Sequence, residues 1–301
     1  MGRNSGIEWT KHTWNPWTGC FKVSAGCKHC YMYREQNRYG NDPSQIKRTK
    51  PDTFNAPLKW NKTDPGLIFT SSWTDFFLPE ADPAWRNEAW DIIRNTPNNT
   101  YQILTKRLDI ADPLLMFPYD WGDGWDNVWL GVSIENQNMA DYRVPKLLEM
   151  RATVRFLSIE PLLGPIKLAD VHLNGIDWVI VGGESGSAAT ARPMHPHWGR
   201  DLLHQCQERD VPFFFKQWGR WGVDPLSKPD GTGRPLWPNG NFGDVNWHPN
   251  TFHIPGVFIM SPRGNKANGN FLDGGYWSQM PKVWEEQQKV AEYAKGGIWN
   301  G

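Results

Sequence analysis

Between Gly66 and Gly219 the chain alternates short runs of β-branched and aromatic residues with longer amphipathic stretches, and this constrains its fold more than any other feature. A strand can return parallel to its neighbour only through a long crossover, so the alternation reads as βα units around a parallel sheet. Strands are expected at 67–71, 101–105, 128–133, 154–158, 178–181 and 212–215, preceded by one at 13–14. Helices are expected at 27–38, 84–95, 139–150 and 197–209, the second opened by Asp82-Pro83 as N-cap and first-turn proline. The expected fold class is α/β, a partial (β/α) barrel of six or seven parallel strands with an irregular C-terminal cap.

The cap is expected from 220–275, where Gly, Pro, Asn and Trp dominate and neither strand nor helix periodicity persists. Its aromatic residues, and the run Ile254-Pro255-Gly256-Val257-Phe258-Ile259, favour an ordered cover for the barrel mouth over a disordered tail. A polar helix is expected at 281–295. The chain therefore divides into a barrel over 1–219 and a cap with a final helix over 220–301. Nineteen tryptophans are many for 301 residues, and they read first as packing for irregular segments, with walls around a planar substrate as the alternative.

Lysine plus arginine balance aspartate plus glutamate at 32 each, so total charge names no polyanionic partner and no membrane surface. No apolar run approaches the ~20 residues of a membrane span, and the first residues lack the apolar core of a signal peptide. No membrane partner and a cytoplasmic location are the expectation.

Three of the four cysteines, Cys20, Cys27 and Cys30, fall within eleven residues with the spacing C-x6-C-x2-C. That pattern suggests metal binding more than a disulfide framework. Three thiolates would hold a [4Fe-4S] cluster and leave one iron for the amino and carboxylate groups of S-adenosyl-L-methionine. The alternative is a structural zinc site completed by His29 or His12, which would make the chain a non-catalytic binding module. The loop follows the first strand, which places it at the C-terminal mouth where such barrels concentrate their chemistry, and this favours iron. Cys206, alone on an amphipathic helix, reads as a buried small hydrophobe.

Each later strand ends in polar residues that a strand does not need. Ser71, Ser72 and Asp75 follow the second strand, Lys106 and Arg107 the third, Ser133 and Glu135 the fourth; Glu160, Glu184 and Lys216 close the remaining three. In a parallel barrel these converge on one face. Ser71, Ser72, Asp75, Lys106, Arg107 and Ser133 are expected to bind cofactor, and Glu135, Glu160, Glu184 and Lys216 to act on substrate.

The pieces Gly6-Ile7-Glu8-Trp9-Thr10, Thr13-Trp14-Asn15-Pro16, the cysteine loop, Phe156 to Leu163, Val179 to Gly186, Phe213 to Gly219 and Gly269 to Gly274 resemble the phage-associated three-Cys-motif family along nearly the whole chain. That family in turn is similar to radical S-adenosylmethionine proteins of the spore photoproduct lyase branch, which repairs thymine dimers in DNA. The second likeness rests on Cys27-Lys28-His29-Cys30-Tyr31 and Leu104-Thr105-Lys106-Arg107. It implies a cluster and S-adenosylmethionine but no particular substrate; the expectation is a radical enzyme that takes its electron from an external donor and acts on a nucleic acid or nucleotide. Two departures stand out. Six residues separate the first two cysteines where three is usual, and Gly182-Gly183-Glu184 lies four strands after the position at which that branch binds the methionine amino group.

Overall fold

The computed structural model describes residues 2–108, 116–168, 173–223, 233–243 and 255–294. Seven strands form one parallel sheet in chain order: β1 (His12–Trp14), β2 (Leu67–Thr70), β3 (Thr100–Thr105), β4 (Val128–Ser133), β5 (Val154–Ile159), β6 (Trp178–Gly182) and β7 (Phe213–Gln217). Each strand pairs with the next in sequence, so the sheet curls as an open half barrel with no strand-order reversal. Helices α1 (Tyr31–Arg38) and α2 (Ala56–Thr63) lie in the crossover from β1 to β2, α3 (Pro83–Arg94) in that from β2 to β3, α4 (Gln137–Glu149) in that from β4 to β5, and α5 (Pro196–Glu208) in that from β6 to β7. Asp82 accepts from the Ala84 N–H and Asn136 from the Met139 N–H, capping α3 and α4.

Strand alternation sorts the two faces. On β3, Tyr101 and Ile103 join the helix-facing core while Leu104 turns inward, and inward Gln102 donates to the Trp9 carbonyl at 3.2 Å. The interior is filled at its N-terminal end only. Trp9, Trp129 and Trp178 stack edgewise at 6.1 Å, and Trp284 of α6 (Lys282–Ala294) closes against Trp129 at 5.9 Å. Phe69, Phe156 and Phe214 lie above them, with Gly131 leaving room for the Phe156 ring. Towards the C-terminal ends the inward residues become small or polar.

Both open edges of the sheet are covered. Residues 2–5 run along β1, with the Thr13 amide donating to Gly2 and the Ser5 amide to Lys11. Residues 277–279 cover β7 in the same way, through Phe215 to Trp277 and Gln279 to Phe213. Covered edges offer no template for another chain.

The stretch expected as an irregular cap contains a small antiparallel sheet of β8 (Gly222–Val223), β9 (Arg234–Leu236) and β10 (Phe258–Ser261), ordered β8-β10-β9 over Trp221, Leu236 and Met260. Residues 224–232 and 244–254 of that stretch, including Ile254, lie outside the described residues, as does Lys295 at the end of the expected last helix. The expectation of a helix from Cys27 needs correction. A 3-10 turn spans Ala25–Cys27, and Cys30 is extended (φ −54, ψ 132) as the N-cap of α1, so the thiols precede the helix instead of lying in its first turn.

Two buried histidines hold the fold in the same way. His12 Nδ1 accepts from the Asn4 amide and its Nε2 faces the Asp64 carbonyl at 2.9 Å; His195 Nδ1 accepts from the His197 amide and its Nε2 faces the Gly256 carbonyl at 2.8 Å. These partners fix the neutral Nε2–H tautomer. Burial lowers both rings from the ordinary value of 6.5, against the raising effect of the backbone carbonyls. The unfolded chain takes the protons first, so this stability is complete above pH ~6.5 and is lost as pH falls from there towards the folded values, by at most ~1.4 kcal/mol per pH unit for each ring. Thermal midpoints should fall between pH 7.5 and 5.5, and in the folded protein both ring NMR signals should titrate below 6.5; either ring titrating at or above 6.5 would refute the assignment.

Candidate functional site

The unfilled half of the barrel is a cavity of about 800 Å3 at the C-terminal ends of the strands. Cys20, Cys27 and Cys30 border it from one side, brought there by the loop between β1 and α1. Ser71, Ser72, Asp75, Lys106, Arg107, Ser133, Glu160, Glu184 and Lys216 also border it, so twelve of the thirteen expected site residues meet in one place. Glu135 does not line it. These residues fall into two groups, according to whether their polar atoms are already committed.

The committed group builds the cysteine loop. Asp75, 5% exposed, accepts from the Thr105 hydroxyl at 2.6 Å, the Lys106 amide at 3.0 Å and the Arg107 guanidinium at 3.2 Å. Arg107, itself buried, donates onward to the Phe21 carbonyl at 2.6 Å and to Cys20 Sγ at 3.6 Å. Burying an ion pair costs several kcal/mol per ion unless further hydrogen bonds complete it, and here they do so by fixing the first cysteine. Glu135, 1% exposed, accepts from the Gly26 amide at 2.9 Å and from Arg143 at 3.2 Å, which holds the loop beside Cys27. A Cβ on Gly26 would stand 3.2 Å from that carboxyl carbon, so glycine permits the approach. The Tyr33 hydroxyl donates to the Cys20 carbonyl and the Tyr31 hydroxyl to that of Ser72. Asp75, Arg107 and Glu135 are thus positioning residues for the thiols. Glu184 is likewise taken up, by the Arg192 amide and guanidinium.

The uncommitted group faces open space. Ser71 Oγ is buried with no hydrogen-bond partner, on a residue whose φ of +69 is unusual for a side chain with a Cβ. Among the described residues, the Lys106 ammonium and the Ser133 and Ser158 hydroxyls have no hydrogen-bond partner. Glu160 and Lys216 pair at 3.1 Å from adjacent parts of the rim, and a side chain at Gly182 would collide with the Glu160 carboxylate. Ser72 lies between the groups, its hydroxyl on Asn15 at 3.0 Å.

The thiols differ electrostatically. Burial, then Asp75, pushes Cys20 up to about 11 against the pull of Arg107. Burial also pushes Cys27 upward, but Lys106 and hydrogen bonds from Val23 and Ser24 outweigh it and leave the thiol below its ordinary value. Cys206 is fully buried in α5 and pushed up to about 12 by burial, as an inert core thiol should be. His12, an expected alternative ligand, is committed in β1 to Asn4 and Asp64 and stacks on Trp60 at 4.5 Å, whereas His29 borders the cavity. Among the described residues, no three His, Cys, Asp or Glu side chains stand as one ion would require. The donor set itself, three thiols of one loop beside a buried hydroxyl with no partner, suits a group that carries several metal atoms and an open position.

Sequence position did not reveal the residues that cover the mouth. Residues 2–7 line the cavity, while of the described part of 220–275 only Asn265 does. The hint was Arg3-Asn4-Ser5-Gly6, a polar run just before β1, but nothing in it specified a segment laid along the sheet edge.

The arrangement defines an α/β half barrel with a pinned thiol loop at the C-terminal rim of its strands. The chain belongs to the family described as "Protein of unknown function (DUF5131)", which matches residues 4–281. No curated protein matches it. It is similar to solved structures of spore photoproduct lyase. A cysteine-to-serine mutant is 14% identical with a TM-score of 0.43, and a double mutant with bound AdoMet and dinucleoside spore photoproduct is 13% identical with the same score. Each match covers 86% of this chain and 71% of the other. A likeness of this size bears on neither activity nor ligand.

Replacing Glu135 by alanine strands Arg143 and releases Gly26, and should cost about 3–5 kcal/mol in urea unfolding. Hydrogen exchange at residues 20–30 should quicken with it; unchanged exchange there would show that the carboxylate does not hold the loop.

Proposed function

We propose that the chain is a radical S-adenosylmethionine enzyme with a [4Fe-4S] cluster on Cys20, Cys27 and Cys30, acting on a nucleic acid or nucleotide. The observation that carries the reading is the convergence of three thiols from one loop on the unfilled end of a parallel half barrel, opposite hydroxyls and charges with unspent hydrogen-bonding capacity. When bound, such a cluster supplies one-electron reduction of the cofactor's sulfonium, the electron coming from an external donor.

The chain's own residues bind and orient. Asp75, Arg107 and Glu135 hold the thiol loop in place. Lys106 offsets negative charge beside Cys27 and is free to meet a carboxylate. Ser71, Ser133 and Ser158 offer hydroxyls along the inner wall, and the Glu160–Lys216 pair provides a carboxylate and an ammonium for amino, hydroxyl or carboxylate groups. The tryptophan plug closes the far end of the barrel against water. A cavity of about 800 Å3 lies high in the ~300–1,000 Å3 range of small-molecule sites, which leaves room for a nucleotide beside the cofactor.

Single Cys20→Ala, Cys27→Ala and Cys30→Ala variants, purified without oxygen, should lose most iron and all formation of 5′-deoxyadenosine. Cys206→Ala should lose neither. Stoichiometric zinc and no cleavage by the wild-type protein would replace this reading with the zinc-stabilised binding module.

Glu160→Gln separates binding from assembly. It should retain iron and the broad absorbance near 400 nm but bind S-adenosylmethionine or substrate about tenfold more weakly, the worth of one charge-assisted hydrogen bond. Loss of iron from this variant would place Glu160 with the positioning residues.

A further inference from the structure

The loop after β6 opens onto a second pocket of about 340 Å3 that shares Ser185 and Asn265 with the main cavity. Two guanidiniums flank it, Arg34 from α1, one turn beyond Cys30, and Arg220, three residues past β7. Between them lies Ser185-Gly186-Ser187. A Cβ at Gly186, where φ is +152, would stand 3.6 Å from Arg34 Nη1, and one at Gly264, where φ is +88, would stand 3.5 Å from Arg220 Nη1. The glycines therefore present bare backbone to both cations.

The donors here are largely unspent. Among the described residues, no carboxylate pairs with Arg220, and its Nε is buried without a hydrogen-bond partner. Arg34 is half exposed and only brushes Glu35 at 3.5 Å, a surface contact of little worth. No described residue accepts from the amides of Ser185, Gly186 or Ser187. The Ser185 hydroxyl accepts from Asn265 at 2.6 Å and retains its own proton to donate. Two cations, a turn of free amides and a hydroxyl around one concavity form a tetrahedral-anion cradle, since planar guanidiniums and backbone amides both match phosphate oxygens.

We propose that this pocket binds the phosphate group of a phosphate ester whose remaining part extends through the shared wall into the main cavity. It deepens the nucleotide reading above and rests on it for the identity of that remaining part. A neutral total charge is compatible with such a site, because two placed arginines serve one phosphate without a basic surface.

The test is equilibrium binding to the full chain, without reductant, of a nucleoside 5′-monophosphate, a short single-stranded oligodeoxynucleotide, its uncharged methylphosphonate analogue, and inorganic phosphate. Arg220→Gln and Arg34→Gln should each weaken binding of the charged esters about tenfold and reduce the salt dependence by about one counterion. Arg220→Lys should recover part of the loss, and the methylphosphonate should bind the wild type no better than the charged strand binds the double variant. Whichever ester binds more tightly identifies the source of the phosphate. Equal binding by wild type and double variant would overturn the proposal, as would binding of inorganic phosphate but of neither ester. Iron content and S-adenosylmethionine cleavage on the same preparations separate the two readings. Esters bound through the arginines by a protein with no iron would sink the radical reading alone, while iron and cleavage with arginine-independent binding would sink this one alone.

Discussion

Seven strands running the same way bring every C-terminal strand end to a single rim, and the rest of this molecule follows from what is done with that rim. An open half barrel has an inner face that must be either filled or used. Here the division runs across the strands. Trp9, Trp129, Trp178 and Trp284 fill the N-terminal end, the phenylalanines above them finish the apolar layer, and serines and charged groups begin where the apolar layer stops. The plug supplies the rigidity that lets the opposite end stay open. Aromatic side chains bury ~150–250 Å2 each, so a few of them replace the apolar contacts that an unfilled mouth gives up.

The thiol loop between β1 and α1 has almost no regular structure of its own, and its placement comes from buried charges on other strands. Arg107 reaches it from the end of β3, Glu135 from the end of β4, and each is neutralised by a second buried partner, Asp75 or Arg143. A loop held by apolar packing alone tolerates small displacements, because dispersion contacts are individually weak and not directional. Charge-assisted hydrogen bonds to the Phe21 carbonyl and the Gly26 amide are directional, and they fix backbone atoms instead of side chains.

The strands were legible to within one or two residues because period-two alternation and turn residues are local signals. β5 and β7 run further than expected, as Ile159 pairs with Val181 and Gln217 with Gly182. The convergence of polar strand ends was legible for the same reason, since strand direction alone dictates it. Their division of labour was not. Past the last paired residue the alternation stops, so nothing local says that Glu160 turns towards the cavity while Glu135 turns under the cysteine loop. The start of α1 was placed too early because Cys27-Lys28-His29-Cys30 carries no helix-breaking residue; the extended Cys30 is set by the contacts of the loop. Arg34 and Arg220 passed unnoticed because each is an ordinary charged residue in sequence and gains meaning only when α1 and the segment after β7 are adjacent.

The distribution of charge around the mouth is more informative than its total. Lys106 and Arg107 stand on the thiol side, where thiolates would accumulate negative charge, and the Glu160–Lys216 pair stands across the cavity with no net charge. Arg34 and Arg220 line the second pocket, which shares a wall at Ser185 with the main cavity. Glu184, the acid nearest that wall, is neutralised by Arg192 and adds little repulsion towards an arriving anion. Cations therefore border both the main cavity and the pocket beside it, while the Glu160–Lys216 pair adds no net charge. A negative group gains an ionic contact beside Lys106 or beside the two arginines and none at the tryptophan floor or the neutral pair, so charge limits where such a group can sit.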